Sequence, residues 1–192
     1  MLPAKPFSYP GIHGDIERLS KLLAIGLQTA TWHPPDSPAI LNLACGRADE
    51  SGILLRHLAP AAKRLFYLGI DLRAPEINEA RARWIPTAPL GWDLDFRVGD
   101  AARTDRMKQL PSFDFIFIRH QNFWHDIPTW TDLYANALDV LKPTGLLARP
   151  YSKSHSGRVI FEFLVEAGGL QRVPRACGRC AAPFTGKNGP AP

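Results

Sequence analysis

The apolar positions of this chain follow two alternating rhythms. Ile16, Leu19, Leu22, Leu23, Ile25 and Leu27 recur at mixed helical spacing and predict a leading helix over 15–29, with Gly14 and Asp15 at its start. Pro34, Pro35 and Pro38 then hold the chain extended, because each proline fixes its own φ and restricts the residue before it. Beyond them, apolar runs predict strands over 39–45, 65–71, 94–98, 113–119 and 145–150. Helical patterns fall over 48–63, 75–84, 103–109, 130–142 and 156–167. The run Phe113-Asp114-Phe115-Ile116-Phe117-Ile118 is almost wholly apolar, as expected of a strand with helices on both faces and no wet side. The expected fold is α/β: a doubly wound, mostly parallel sheet in a three-layer α/β/α sandwich.

Lys142-Pro143-Thr144-Gly145 closes the helix over 130–142 with a basic last turn and a proline-glycine stop. Past Gly169 the pattern fades, and Val173 and Phe184 are nearly the only bulky apolar residues of the rest. One domain over 1–170 is therefore expected, followed by a short basic tail over 171–192 that supplies at most one edge strand. With 45% hydrophobic and 21% charged residues among 192, the body has enough apolar surface for a compact core.

The net charge of +5 does not mark a nucleic-acid stripe. Arg172, Arg175, Arg179 and Lys187 follow Glu166 with no acid among them, so residues 1–166 carry only +1. A near-neutral body displaces few phosphate counterions, which leaves nucleic acid a less favoured partner. The amino terminus has no apolar leader and no stretch reaches membrane length, so a soluble cytoplasmic protein without membrane contact is expected. Three cysteines make no disulfide framework. The Ala-, Pro- and Arg-rich composition suggests a bacterial source.

The chemistry begins at Ala39-Ile40-Leu41-Asn42-Leu43-Ala44-Cys45-Gly46-Arg47-Ala48, an apolar strand that breaks into a turn of small residues. The next strand, Leu65 to Ile70, ends in Asp71. Strand, small-residue turn, helix and a second strand ending in a carboxylate together build a nucleoside-binding crevice. A dinucleotide would need G-x-G-x-x-G at the turn for its pyrophosphate, and this turn has one glycine.

These segments resemble class I S-adenosylmethionine-dependent methyltransferases over roughly 15–168. Leu41-Asn42-Leu43-Ala44-Cys45-Gly46 resembles the first motif of that family and Gly69-Ile70-Asp71 the second. Arg97-Val98-Gly99-Asp100-Ala101 is similar to the segment along the adenine, residues 113–118 to the fourth strand, and residues 138–147 to the helix-to-strand passage usually written L-K-P-G-G. The resemblance implies S-adenosyl-L-methionine as cofactor. It implies that backbone at Ala44, Cys45 and Gly46 passes under the methionine part, that Asp71 accepts both ribose hydroxyls, and that Leu72 covers one adenine face. Asp100 would accept from the adenine amino group and the Ala101 N–H would donate to a ring nitrogen. Two departures are expected to weaken binding: Asn42 stands where the family has an acid near the cofactor ammonium, and Ala48 stands where glycine is common.

In such a fold the methyl acceptor approaches above the fourth strand, where the chain reads Arg119-His120-Gln121-Asn122-Phe123-Trp124-His125-Asp126. His120 would serve as a base if the acceptor is protonated. Arg119 would hold an acidic acceptor or face the cofactor, and Asn122, Phe123, Trp124 and Tyr151 would line the pocket. The cluster lacks the Asp/Asn-Pro-Pro-aromatic motif of methyltransferases acting on amino groups of bases or glutamine. Phe7, Tyr9 and His13 are candidates for a lid, and Ser152 points to the acceptor side. Cys177 and Cys180 have the spacing of half a zinc site without a second pair, so no metal is expected. The function expected is methyl transfer to a small or medium-sized acceptor. An RNA methyltransferase using the basic tail, a non-catalytic cofactor-binding domain and a separate partner subunit completing the site remain alternatives.

Overall fold

The computed structural model describes residues 12–107, 110–118, 126–153, 158–166 and 170–172. The chain runs α1 (Ile12–Thr29), β1 (Ala39–Leu43), α2 (Ser51–Leu58), β2 (Leu65–Asp71), α3 (Ala74–Trp84), β3 (Trp92–Val98), β4 (Phe113–Ile118), α4 (Ile127–Asp139), β5 (Leu141–Lys153), β6 (Arg158–Glu166) and β7 (Leu170–Arg172). Short 3₁₀ turns cover Ile85–Thr87 and Ala101–Arg106.

The strands form a seven-stranded sheet in the order β3-β2-β1-β4-β5-β6-β7. The first five in that order are parallel, and β6 and β7 are antiparallel additions. The chain winds outward from β1 through β2 to β3, then returns to the other side of β1 to lay down β4 and β5. That reversal at β1 opens a crevice at the carboxyl ends of the central strands.

Alternation along the buried strands divides the core in two. Ile40, Tyr67, Phe96, Phe115, Phe117, Leu146 and Ala148 pack on the side of α1, α2 and α3. Leu41, Leu43, Leu68, Ile70, Ile116, Ile118 and Leu147 pack on the side of α4 and the 101–106 turn. The leading helix takes part as its spacing predicts, with Leu19, Leu23 and Leu27 buried one turn apart.

Three expectations are corrected. The segment expected as a helix over 156–167 is β6, paired antiparallel with β5 from Lys153↔Arg158 to Leu146↔Val165. Its run Val159-Ile160-Phe161-Glu162-Phe163-Leu164-Val165 is β-branched and aromatic, which favours a pleated surface over a helical one. The second correction is at β5, which begins at Leu141 rather than Gly145. Its register against β4 slips between Phe113↔Leu141 and Phe115↔Leu146, so Lys142 to Gly145 bulge where Pro143 has no N–H to donate. The helix expected over 103–109 is the shorter 3₁₀ turn.

Candidate functional site

The turn after β1 is wound by alternate residues in the left-handed region: Ala44, Gly46 and Ala48 have φ of 53°, 56° and 55°. Two of the three are alanines, whose Cβ makes this conformation costly by about 1–2 kcal/mol each. Such strain persists where the surroundings over-determine the backbone. Here Cys45 N–H donates to the Ile70 carbonyl at 3.0 Å and Ala48 N–H to the Cys45 carbonyl at 2.8 Å. Trp84 Nε1 donates to the Ala48 carbonyl at 3.0 Å, tying the turn to α3. Ala48 is fully buried, so its methyl, one of the two departures, is packed into the core and away from the open face of the turn.

Asp71, the last residue of β2, turns its carboxylate onto this turn. Oδ2 accepts from Gly46 N–H at 2.7 Å, and Oδ1 accepts from Arg73 N–H at 2.9 Å. Arg73 also donates from Nε to Oδ1 at 2.9 Å and from Nη2 to Oδ2 at 3.3 Å. Burial alone would raise the Asp71 pKa. The bonds from the Arg73 side chain and from the Arg73 and Gly46 backbone outweigh it and hold the carboxyl below its ordinary range. Gly99 N–H donates to the Asp71 carbonyl at 3.0 Å, which brings Asp100 alongside. Asp100 caps the following 3₁₀ turn, its Oδ1 accepting from Ala102 N–H at 2.9 Å; among the described residues its Oδ2 takes no partner. Ala101 begins that turn and is buried, while Leu72 is 68% exposed beside Asp71.

Beneath the turn lies a buried polar cluster that the sequence did not reveal. Asn42 is fully buried, and its Nδ2 donates to Glu50 Oε1 and to Tyr67 Oη, each at 2.8 Å. Tyr67 Oη also lies 2.6 Å from Ser51 Oγ. Asn42 is thus a donor to a carboxylate. An acid at this position would face Glu50 as a like charge, so the departure at 42 is matched by an acid supplied from position 50. The Asn42 carbonyl oxygen is buried without a hydrogen-bond partner among the described residues. Burial raises the Tyr67 pKa well above the ordinary phenol, and the nearby Glu50 charge adds to it. Cys45 is likewise pushed far up by burial, then by Glu50 and Asp71, so its thiol stays protonated and inert.

The structure therefore brings Asn42, Ala44, Cys45, Gly46, Asp71, Leu72, Asp100 and Ala101 to the carboxyl ends of β1, β2 and β3. Tyr151 and Ser152 lie in β5, opposite Ile160 and Val159 of β6. Arg119, His120, Asn122, Phe123 and Trp124, with Phe7, Tyr9, Cys177 and Cys180, lie outside the described residues. No group of three or more His, Cys, Asp or Glu able to hold a metal occurs among the described residues. Arg73 is the site residue that motif reading missed, because its part depends on where its side chain folds back.

Comparison with known proteins agrees with this architecture. A putative protein-L-isoaspartate O-methyltransferase from Plasmodium falciparum, in complex with S-adenosyl-L-homocysteine, superposes with a TM-score of 0.51 at 14% identity, over 86% of this chain and 70% of that one. PH0226 protein from Pyrococcus horikoshii OT3 gives 0.53 at 18% identity, over 83% and 74%. Magnesium protoporphyrin IX methyltransferase from Synechocystis PCC 6803, with S-adenosylmethionine bound, gives 0.50 at 13% identity, over 75% and 60%. At these identities the likeness is one of fold. No curated protein matches the chain. A family model described as a methyltransferase domain matches residues 40–145, from the first buried residue of β1 to the bulge of β5. That is more than half of the sequence and includes the turn, Asp71 and Asp100, and the chain belongs to the methyltransferase-domain family.

Proposed function

We propose that this chain is a class I methyltransferase that uses S-adenosyl-L-methionine to methylate a small or medium-sized acceptor. The observation that carries the reading is the buried Asp71 carboxylate, held by backbone N–H groups at the mouth of a one-glycine turn. Family membership supports the cofactor, and two of the neighbours named above carry it or its product.

The residues fit a nucleoside with a methionine arm. A Cβ at Gly46 would stand over the turn 3.0 Å from Arg73 Nη2, so only glycine leaves that surface open. Leu72 offers an exposed apolar face for adenine, and Asp100 Oδ2 an acceptor for its amino group. Asp71 would accept the ribose hydroxyls once Arg73 gives up its two side-chain bonds. When bound, S-adenosylmethionine supplies a methyl group on a cationic sulfur that departs as a neutral thioether. The chain then has to align and dehydrate the reactants, with a base needed only for a protonated acceptor. His120 is proposed as that base, Arg119 as the contact to an acidic acceptor or the cofactor, and Asn122, Phe123, Trp124 and Tyr151 as the pocket wall.

The reading extends to one domain over 1–170 with a short tail, acting in a bacterial cytoplasm. No helix among the described residues is long and apolar enough to cross a membrane. Incubating the protein with extract and S-adenosylmethionine carrying a labelled methyl should put label into small molecules. Label confined to RNA would favour the basic tail as a substrate contact, and no incorporation in any fraction would contradict the enzymatic reading.

A further inference from the structure

A carboxylate has about four lone-pair directions, two on each oxygen. On Asp71 the backbone takes one of each: Gly46 N–H on Oδ2 and Arg73 N–H on Oδ1. The Arg73 side chain takes the others, Nε on Oδ1 at 2.9 Å and Nη2 on Oδ2 at 3.3 Å. Two adjacent donors meeting two adjacent oxygens is also what a vicinal diol presents. We propose that Arg73 is a built-in competitor for the ribose diol, its guanidinium holding the two acceptor positions on Asp71 that the cofactor needs and having to vacate them before the ribose can bind.

This inference rests on the S-adenosylmethionine reading and adds a control to it. Three further observations carry it. The guanidinium lies against the turn as well as the acid, since a Cβ on Gly46 would meet Nη2 at 3.0 Å. It therefore occupies both the acceptors and the space over the backbone. Its remaining nitrogen, Nη1, is held at 3.2 Å by Glu76 in the first turn of α3, so the arm is fixed at both ends. Finally, the Arg73 side chain is 60% exposed and that of Asp71 only 6%. The arginine can swing into water without opening the core, whereas the acid cannot, which identifies the partner that moves.

Competition of this kind lowers the apparent affinity by the fraction of molecules whose arm is already out. An ion pair whose cation stands in solvent also weakens with salt, so raising ionic strength should release the arm and tighten ligand binding. That is the reverse of a ligand held by charge.

The test is calorimetric titration of the full chain with S-adenosylhomocysteine, which carries no sulfonium charge. Arg73→Ala should bind about three- to tenfold more tightly than the wild type, the range set by a bidentate pair with an exposed arginine. Arg73→Lys, which keeps charge but loses the fork, and Glu76→Gln, which frees the arm at its far end, should each give a smaller gain. Wild-type affinity should rise from low to high salt, and that of Arg73→Ala should not. Thermal melts establish that each variant is folded, and Arg73→Lys and Glu76→Gln carry the prediction if the alanine variant is not. Equal or weaker binding by the folded Arg73 variants would overturn the competitor while leaving the cofactor reading intact. A lack of binding by wild type and every variant would overturn both.

Discussion

The two ends of the parallel sheet each hold a buried aspartate with a cationic partner, and the two draw their partners from different places. At the amino end, Asp114 of β4 accepts from Ala39 N–H at 2.8 Å and from Lys142 Nζ at 2.9 and 2.8 Å. Its partners come from the first residues of β1 and β5, so one side chain pins three strand starts together. At the carboxyl end, Asp71 takes its bonds from the turn after β1 and from the residue two positions along. Exchanging the cation at Asp114 would cost strand alignment. Exchanging it at Asp71 costs only the rearrangement of one exposed side chain. Burial and charge pairing are alike at the two sites, so neither distinguishes the acid proposed to bind ribose from one that aligns strands. Strand end and the origin of the partners do.

The contrast can be broken from either side, and the largest effect is expected at Asp71. Asp71→Ala removes two charge-assisted acceptors and should weaken S-adenosylhomocysteine binding by about a hundredfold or more, measured by calorimetry. Asp114→Ala should do the opposite. It should leave that affinity within about twofold while lowering unfolding stability by about 2 kcal/mol in denaturant titration, the cost of stranding a part-buried N–H and a half-exposed lysine. If the two variants behaved alike, the division between the ends would be wrong.

Asn42→Asp introduces the acid that the methyltransferase resemblance leads one to expect at this position, yet it should destabilise this protein. Its new carboxylate would meet Glu50 where the amide now donates at 2.8 Å. The loss should be about 2 kcal/mol at neutral pH. Two facing carboxylates raise the folded pKa of the pair, so the folded variant binds the extra proton first. The deficit should therefore shrink as pH falls toward and through the carboxylate range, where the wild type shows no such recovery. Urea melts at two pH values measure it. The smallest effect is expected at Ala44, where φ is 53°. Ala44→Gly relieves left-handed strain and loosens the unfolded chain, so it should stabilise by about 0.5 kcal/mol.

The same comparison explains what could be read from the chain. The strands β1, β2 and β4, the turn and Asp71 were legible because apolar runs, small residues and a terminal acid occur together in order. Asp114 was read only as one polar residue in an apolar strand, since its partners at 39 and 142 are neighbours in space alone. The donor role of Asn42 was hidden for the same reason: the turn carries Glu50 back over it. Arg73 was invisible because no spacing predicts that a side chain will fold onto the acid two residues earlier. The run at 158–166 suits helix or strand by its apolar positions, and its β-branched and aromatic content decided the matter. The acceptor cluster at 119–125 rests on its position after β4.

The most direct test sets the two ends against each other in one titration. S-adenosylhomocysteine and NAD are each titrated into wild type, Asp71→Ala and Asp114→Ala. S-adenosylhomocysteine should bind wild type and Asp114→Ala alike and fail to bind folded Asp71→Ala, and NAD should bind none of them. Undiminished binding by Asp71→Ala, or binding of NAD alone, would contradict the proposed role of Asp71.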